Sequence, residues 1–318
     1  MTDRTWLGGT NNKASNPKDW SPTGVPQQGD RLYITGSLGA VPPNGTINVT
    51  GNDLAGDILI AGSVPTHSIV TINLSHDASL DLETLVGDGI VVIPQSTTIN
   101  VAGAATLTGD ALFWPATQTI NIGPNATLTV SHLNATTIGP GEGTTVVINS
   151  AAHGKLNVQG AGAIVNYSDS TMTVNAPVLG AGTFDDDGSL TFTNSVASGI
   201  TVELTAVNSS TLMLNHPLTF NGTVDDPNTA GQQGFATIDL ASIHASTYDY
   251  GNGVLTLFGG NHVVDRLDLQ TSNPVLVAQN TSGITILTGN GTPPSSAGTL
   301  LSVHSPALLL DGVVALPS

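Results

Sequence analysis

The densest cluster of ionisable side chains in this sequence is Asp185-Asp186-Asp187-Gly188, and a second acidic pair, Asp225-Asp226, follows 40 residues after Asp185. Gathered carboxylates suit two chemistries. Hard cations such as calcium take several oxygen ligands at once. Two carboxyl groups held about 5–9 Å apart can cleave a glycosidic bond. Asp and Gly also favour solvated turns, so Asp185, Asp186 and Asp187 read either as a turn or as calcium ligands. Trp114, in Phe113-Trp114-Pro115, is the single Trp beyond position 20. Sugars stack on exposed aromatic rings, which makes it a candidate glycan contact; packing in a core or turn is the plain alternative.

Other reactive constellations are absent from the sequence. There is no Cys, so disulfides, thiolate metal sites and thiol nucleophiles are excluded. The eight His (67, 76, 132, 153, 216, 244, 262 and 304) stand singly, without the spacing of a zinc site. No Gly-x-Ser-x-Gly elbow and no phosphate-binding glycine loop occurs. The flat Thr-x-Thr lattices by which some solenoids bind ice have only scattered counterparts, Thr127-x-Thr129 and Thr171-x-Thr173.

Charge narrows the partners. The chain of 318 residues holds 23 acidic and 6 basic side chains, a formal charge of −17. Four of the six basic residues fall in the first 31 positions, leaving Lys155 and Arg266 for the rest. Such a surface repels phosphate backbones and acidic polymers, so no nucleic-acid binding is expected. Two isolated cations are also poor material for lyase chemistry that relies on Arg or Lys. No run of about 18 apolar residues exists, and the opening Met1-Thr2-Asp3-Arg4-Thr5-Trp6 has no apolar leader core, so no membrane insertion by this chain is expected.

The elements that must carry these residues are announced by a repeated phrase. Thr46-Ile47-Asn48-Val49 returns as Thr71-Ile72-Asn73-Leu74, Thr98-Ile99-Asn100-Val101 and Thr119-Ile120-Asn121-Ile122, at steps of 25, 27 and 21 residues. Strand-forming phrases repeating at about 20–30 residues, with Gly, Asn and Pro between them, predict a solenoid. Alternation in Thr127-Leu128-Thr129-Val130 and Thr171-Met172-Thr173-Val174 predicts strands with one face inward. Gly182-Thr183-x-Asp185-Asp186 and Gly222-Thr223-x-Asp225-Asp226, 40 residues apart, predict a spacing of two rungs. The expected fold is all-β, a single-stranded parallel β-helix of roughly 12–14 rungs. Residues 1–35, with two of the three Trp, predict an N-terminal cap, and 36–318 one continuous body closed by an irregular C-terminal cap.

Two stretches carry a family resemblance. Trp6, Gly8-Gly9, Asn16-Pro17, Trp20, Pro26, Gly29-Asp30 and Ile34 resemble the start of β-helical passenger segments in bacterial autotransporters. Ile238-Asp239-Leu240, Leu255-Thr256-Leu257 and Leu267-Asp268-Leu269 resemble a repeat of large secreted, adhesin-like proteins of Gram-negative bacteria. The resemblance implies a right-handed coil, an extracellular or cell-surface location and an adhesive or matrix role, with no catalytic residues to carry over. No aromatic residue follows Phe258, which is unlike the membrane barrel an autotransporter carries.

The expected function is therefore a secreted or cell-surface structural or adhesive β-helix, meeting neutral glycan or extracellular matrix through a Thr/Asn/Ser-rich face. Calcium at Asp185–187 is the one cofactor suggested. A polysaccharide-degrading enzyme is the first alternative, and a self-assembling filament subunit the second, since end-to-end stacking of coils need not close.

Overall fold

A computed structural model describes residues 3–7, 15–25, 31–33, 44–50, 57–59, 69–75, 78–81, 96–108, 117–130, 133–135, 145–166, 170–205, 210–227, 234–290 and 298–303. Among them the chain is almost entirely β-strand; the helical content is two single-turn 3₁₀ segments, Pro17–Asp19 and Pro217–Thr219. No helix among the described residues is long and apolar enough to cross a membrane.

The repeated phrase sets the register. Thr46, Thr71, Thr98 and Thr119 are successive Cα partners, as are the Ile and Asn residues that follow each of them. The ladder continues in parallel from Asn44–Thr50 through Ile69–Ser75, Ser96–Ala102, Thr117–Ile122, Thr145–Ser150, Thr171–Val174, Ser189–Phe192 and Thr211–Leu214 to Gly234–Ala241. A second parallel ladder runs alongside, from Ala78–Asp81 through Ala104–Thr108, Thr127–Val130, Lys155–Asn166, Val178–Asp186, Ile200–Leu204 and Thr223–Asp226 to His262–Thr271. Each coil thus gives one strand to each of two sheets, which is a β-solenoid.

Among the described residues nine parallel rungs form the first ladder, against the 12–14 expected from dividing the chain by the repeat. Both sheets reverse direction after residue 234. Gly283–Asn290 pairs antiparallel with the ninth rung, and Val275–Gln279 pairs antiparallel with Gly283–Asn290. In the second sheet Val254–Gly259 and Thr247–Gly251 turn back in the same way on His262–Thr271. These hairpins occupy the strand edge that a stack of parallel coils would leave open. At the opposite end Asp3–Trp6 lies between Trp20–Ser21 and Arg31–Tyr33, and Arg31–Tyr33 pairs in parallel with Asp57–Leu59. Trp20 is fully buried there.

The core is built of side-chain columns. Ile99, Ile120, Ile148, Val174, Phe192, Leu214, Leu240 and Ile284 are successive register partners, and all are buried. Phe184, Val202, Val224 and Leu269 form the matching column of the second sheet. The Phe184 and Phe192 rings meet edge to face at 5.1 Å and tie the two sheets together. Each such side chain contributes about 1.5–3 kcal/mol by burial. The corners are tight: a Cβ on Gly123 would sit 2.7 Å from the carbonyl oxygen of Val101 in the coil before it.

Candidate functional site

Strand alternation separates the triple acid. Val178–Asp186 carries Phe184 inward, Asp185 outward and Asp186 inward, and Asp187-Gly188 makes the bend that follows. The three carboxylates therefore do not converge. Asp186 is fully buried, accepting hydrogen bonds from Asn166 Nδ2 at 2.7 Å and from the Gly188 N–H at 3.2 Å. Its Oδ2 has no hydrogen-bond partner among the described residues. Burial raises its carboxyl to about 7, against the opposing pull of the Asn166 and Gly188 hydrogen bonds. Asp187 lies outside and takes a 2.7 Å hydrogen bond from the Thr205 hydroxyl.

What the register does bring together is a row whose ends, Asp185 and Asp225, the 40-residue spacing already relates, and whose middle member, Glu203, the sequence reading missed. Asp185, Glu203 and Asp225 are successive Cα partners on the outer face of the second sheet. The 40-residue repeat of Asp-Asp is thus two rungs, with Glu203 on the rung between. Parallel neighbours stand about 4.8 Å apart, so these are like charges directly opposed. Burial raises all three carboxyls, and repulsion adds to it: from Asp187 on Asp185, from Asp185 and Asp225 on Glu203, and from Asp226 on Asp225. Asp226 points inward and accepts from the Thr271 hydroxyl and the Asn273 amide. Among the described residues, no group of three or more His, Asp and Glu is arranged to hold a metal ion.

The first sheet presents a different surface. Its outward positions fall into columns. The central one runs Thr98, Thr119, Val147, Thr173, Thr191, Met213 and Asp239. Beside it, Asn100 Nδ2 donates to Asn73 Oδ1 at 2.8 Å, Asn121 to Asn100 at 2.9 Å, Asn149 to Asn121 at 3.1 Å and Asn175 to Asn149 at 2.9 Å. The Thr193 hydroxyl completes this amide ladder by donating to Asn175 Oδ1 at 2.7 Å. Each amide donates to one rung and accepts from the next, so the column rigidifies the face. Over these rungs the outward face is uncharged, and polar except at Val147. The Thr-x-Thr pairs 117/119 and 171/173 lie on this sheet, but the rung between them carries Val147, while Thr127 and Thr129 belong to the second sheet. Among the described residues no contiguous two-column Thr lattice forms.

At the antiparallel end of the same face a groove of about 320 Å³ opens, with Met213, Thr237, Asp239, Ser282, Thr285 and Leu287 in its lining. Thr285, only 6% exposed, donates to Asp239 Oδ1 at 2.6 Å and accepts from Asn280 Nδ2 at 3.0 Å. Asn280 Oδ1 in turn accepts the backbone N–H groups of Ser282 and Gly283 at 2.7 and 2.9 Å. Gly283 is required here, because a Cβ would run into the carbonyl oxygen of Leu240. Trp114 lies outside the described residues.

Comparison of the chain with protein-family models, with curated proteins and with solved structures finds no match. The fold and these three surfaces therefore define the class: a β-solenoid with an acidic row on one sheet and a neutral hydroxyl-and-amide face on the other.

Proposed function

We propose that this chain is a structural or adhesive solenoid, secreted or displayed on the surface of a Gram-negative bacterium, that contacts neutral glycan or matrix through the outer face of its first sheet. The observation that carries the reading is the uncharged array of Thr, Ser and Asn in register from Ser96–Ala102 to Thr211–Leu214, interrupted only by Val147 and Met213 in its central column. Aligned hydroxyl and amide groups offer donors and acceptors at about 4.8 Å intervals, a repeat that an extended polymer of hydroxyls can meet many times. Weak contacts summed in this way give avidity without a deep pocket. The net charge of −17 favours neutral over acidic polymers. The resemblance of the opening segment to passenger segments, and of Ile238-Asp239-Leu240, Leu255-Thr256-Leu257 and Leu267-Asp268-Leu269 to a repeat of large secreted, adhesin-like proteins, supports an extracellular site of action.

The test is pull-down of the purified chain by neutral and acidic polysaccharides, with and without calcium, scored for binding and for new reducing ends. Retention by neutral polymers without cleavage is the expected result. Retention by none of them sinks the adhesive reading.

A second reading rests on the row Asp185, Glu203 and Asp225. Carboxyls on neighbouring strands about 4.8 Å apart, each raised by burial and by like-charge repulsion, are the raw material of acid–base cleavage of a glycan. New reducing ends that disappear in Glu203→Gln would favour it over adhesion.

A further inference from the structure

The groove beside Met213 adds a distinct site to the face, and its chemistry is specific enough to name a ligand class. We infer that it is a subsite for one hexopyranose unit of a neutral glycan, held by Asp239, Ser282 and Thr237 and covered on its C–H face by Met213; this rests on the proposed glycan-binding role.

Four observations carry it. The first is size: about 320 Å³ is at the small end of ligand sites, enough for a single sugar ring. The second is a fixed carboxylate. Asp239 Oδ1 is committed to Thr285, and Thr285 is itself held by Asn280, so the carboxylate cannot rotate away. Asp239 Oδ2 has no hydrogen-bond partner among the described residues. An ionised carboxylate only accepts hydrogen bonds, so it seeks a ligand rich in O–H donors. The third is the complement of neutral hydroxyls. Thr237 and Ser282 line the same groove and can donate to or accept from a ring oxygen or a further hydroxyl. The fourth is Met213, 38% exposed and standing between Thr191 and Asp239 in the central column of the sheet. Its polarizable thioether side chain offers an adaptable apolar surface for the C–H face of a sugar.

The lining also excludes other ligands. Among the described residues no Lys, Arg or His contributes to it, so an anionic sugar would meet the Asp239 charge without a counter-ion from them. A single carboxylate with two hydroxyls is too sparse for calcium, which takes six to eight oxygens.

The experiment is calorimetric titration of the full chain with maltohexaose, cellohexaose and mannohexaose, and with a galacturonic acid hexamer. Three variants accompany it: Asp239→Asn, Ser282→Trp to fill the groove from an exposed position, and Thr201→Val as a control on the outer face of the second sheet. Binding of at least one neutral hexamer is expected, weakened tenfold or more in Asp239→Asn, lost in Ser282→Trp and unchanged in Thr201→Val. Far-UV circular dichroism of each variant confirms that the solenoid is intact. Binding that survives both groove variants overturns the assignment, as does a preference for the galacturonic acid hexamer. If no hexamer binds while neutral polymers are still pulled down, the groove assignment fails and the broader face reading stands. If neither occurs, both fail.

Discussion

Replacing Asp186 with Asn should stabilise the protein at neutral pH, and by an amount that depends steeply on pH. Asn keeps the shape of the side chain and an oxygen for the Asn166 and Gly188 donors, but removes a charge from a fully buried place. In the parent, burial raises this carboxyl from 3.8 to about 7. At 1.36 kcal/mol per unit, the cost of holding it ionised in the folded state is about 4 kcal/mol. Below about pH 4 the carboxyl is protonated both folded and unfolded, and the cost is absent. As pH rises from about 4 to about 7 the unfolded chain ionises first, and stability is lost until the folded pKa is passed. The Asn variant lacks this loss. It should match the parent within about 1 kcal/mol at pH 4 and exceed it by several kcal/mol at pH 8. The raised carboxyls of Asp185, Glu203 and Asp225 remain in both proteins, so the difference between them isolates Asp186. Urea unfolding followed by far-UV circular dichroism at pH 4 to 8 reads this directly. Midpoints are the quantity to compare, because stacked repeats need not unfold in one step. A variant whose midpoint falls with pH as steeply as the parent's would refute the reasoning.

Glu203→Gln should raise the thermal midpoint near pH 7 by removing the central charge of the row, leave it unchanged near pH 3, and lose its effect as salt rises. Asn121→Ala should cost about 1–3 kcal/mol, because it breaks the ladder to Asn100 and leaves Asn149 without its acceptor; a melt that is unchanged would make the ladder ornamental. Phe192→Ala removes a buried ring that packs on Phe184 and Phe220 and should cost about 3–5 kcal/mol, read as a lower denaturation midpoint at constant pH.

Much of the fold is legible in the sequence because its coils repeat the same phrase. Thr-Ile-Asn with a fourth apolar residue aligns Asn48, Asn73, Asn100 and Asn121 by inspection, and the register follows that alignment residue for residue. The later members of the amide ladder, Asn175 and Thr193, sit one residue beyond their strands, where the phrase no longer marks them. The reversal after residue 234 was invisible for a different reason. Period-2 alternation is the same read in either direction, so Ile238-Asp239-Leu240 cannot tell a parallel partner from an antiparallel one. The same alternation, carried two residues past Phe184, would have split Asp185 from Asp186. Glu203 escaped notice because its neighbours in the row lie 18 and 22 residues away on coils of unequal length. The groove joins Asp239 to Thr285 across 46 residues through an antiparallel pairing that no local pattern encodes.

The most direct test of the central claim is a charge placed on the neutral face. Thr119→Asp with Thr173→Asp puts two carboxylates into the central column of the first sheet, and Thr201→Asp with Thr223→Asp puts two onto the outer face of the second. Pull-down by the neutral polysaccharide that retains the parent should be lost in the first pair and kept in the second. Equal retention of both variants would contradict the assignment of binding to this face.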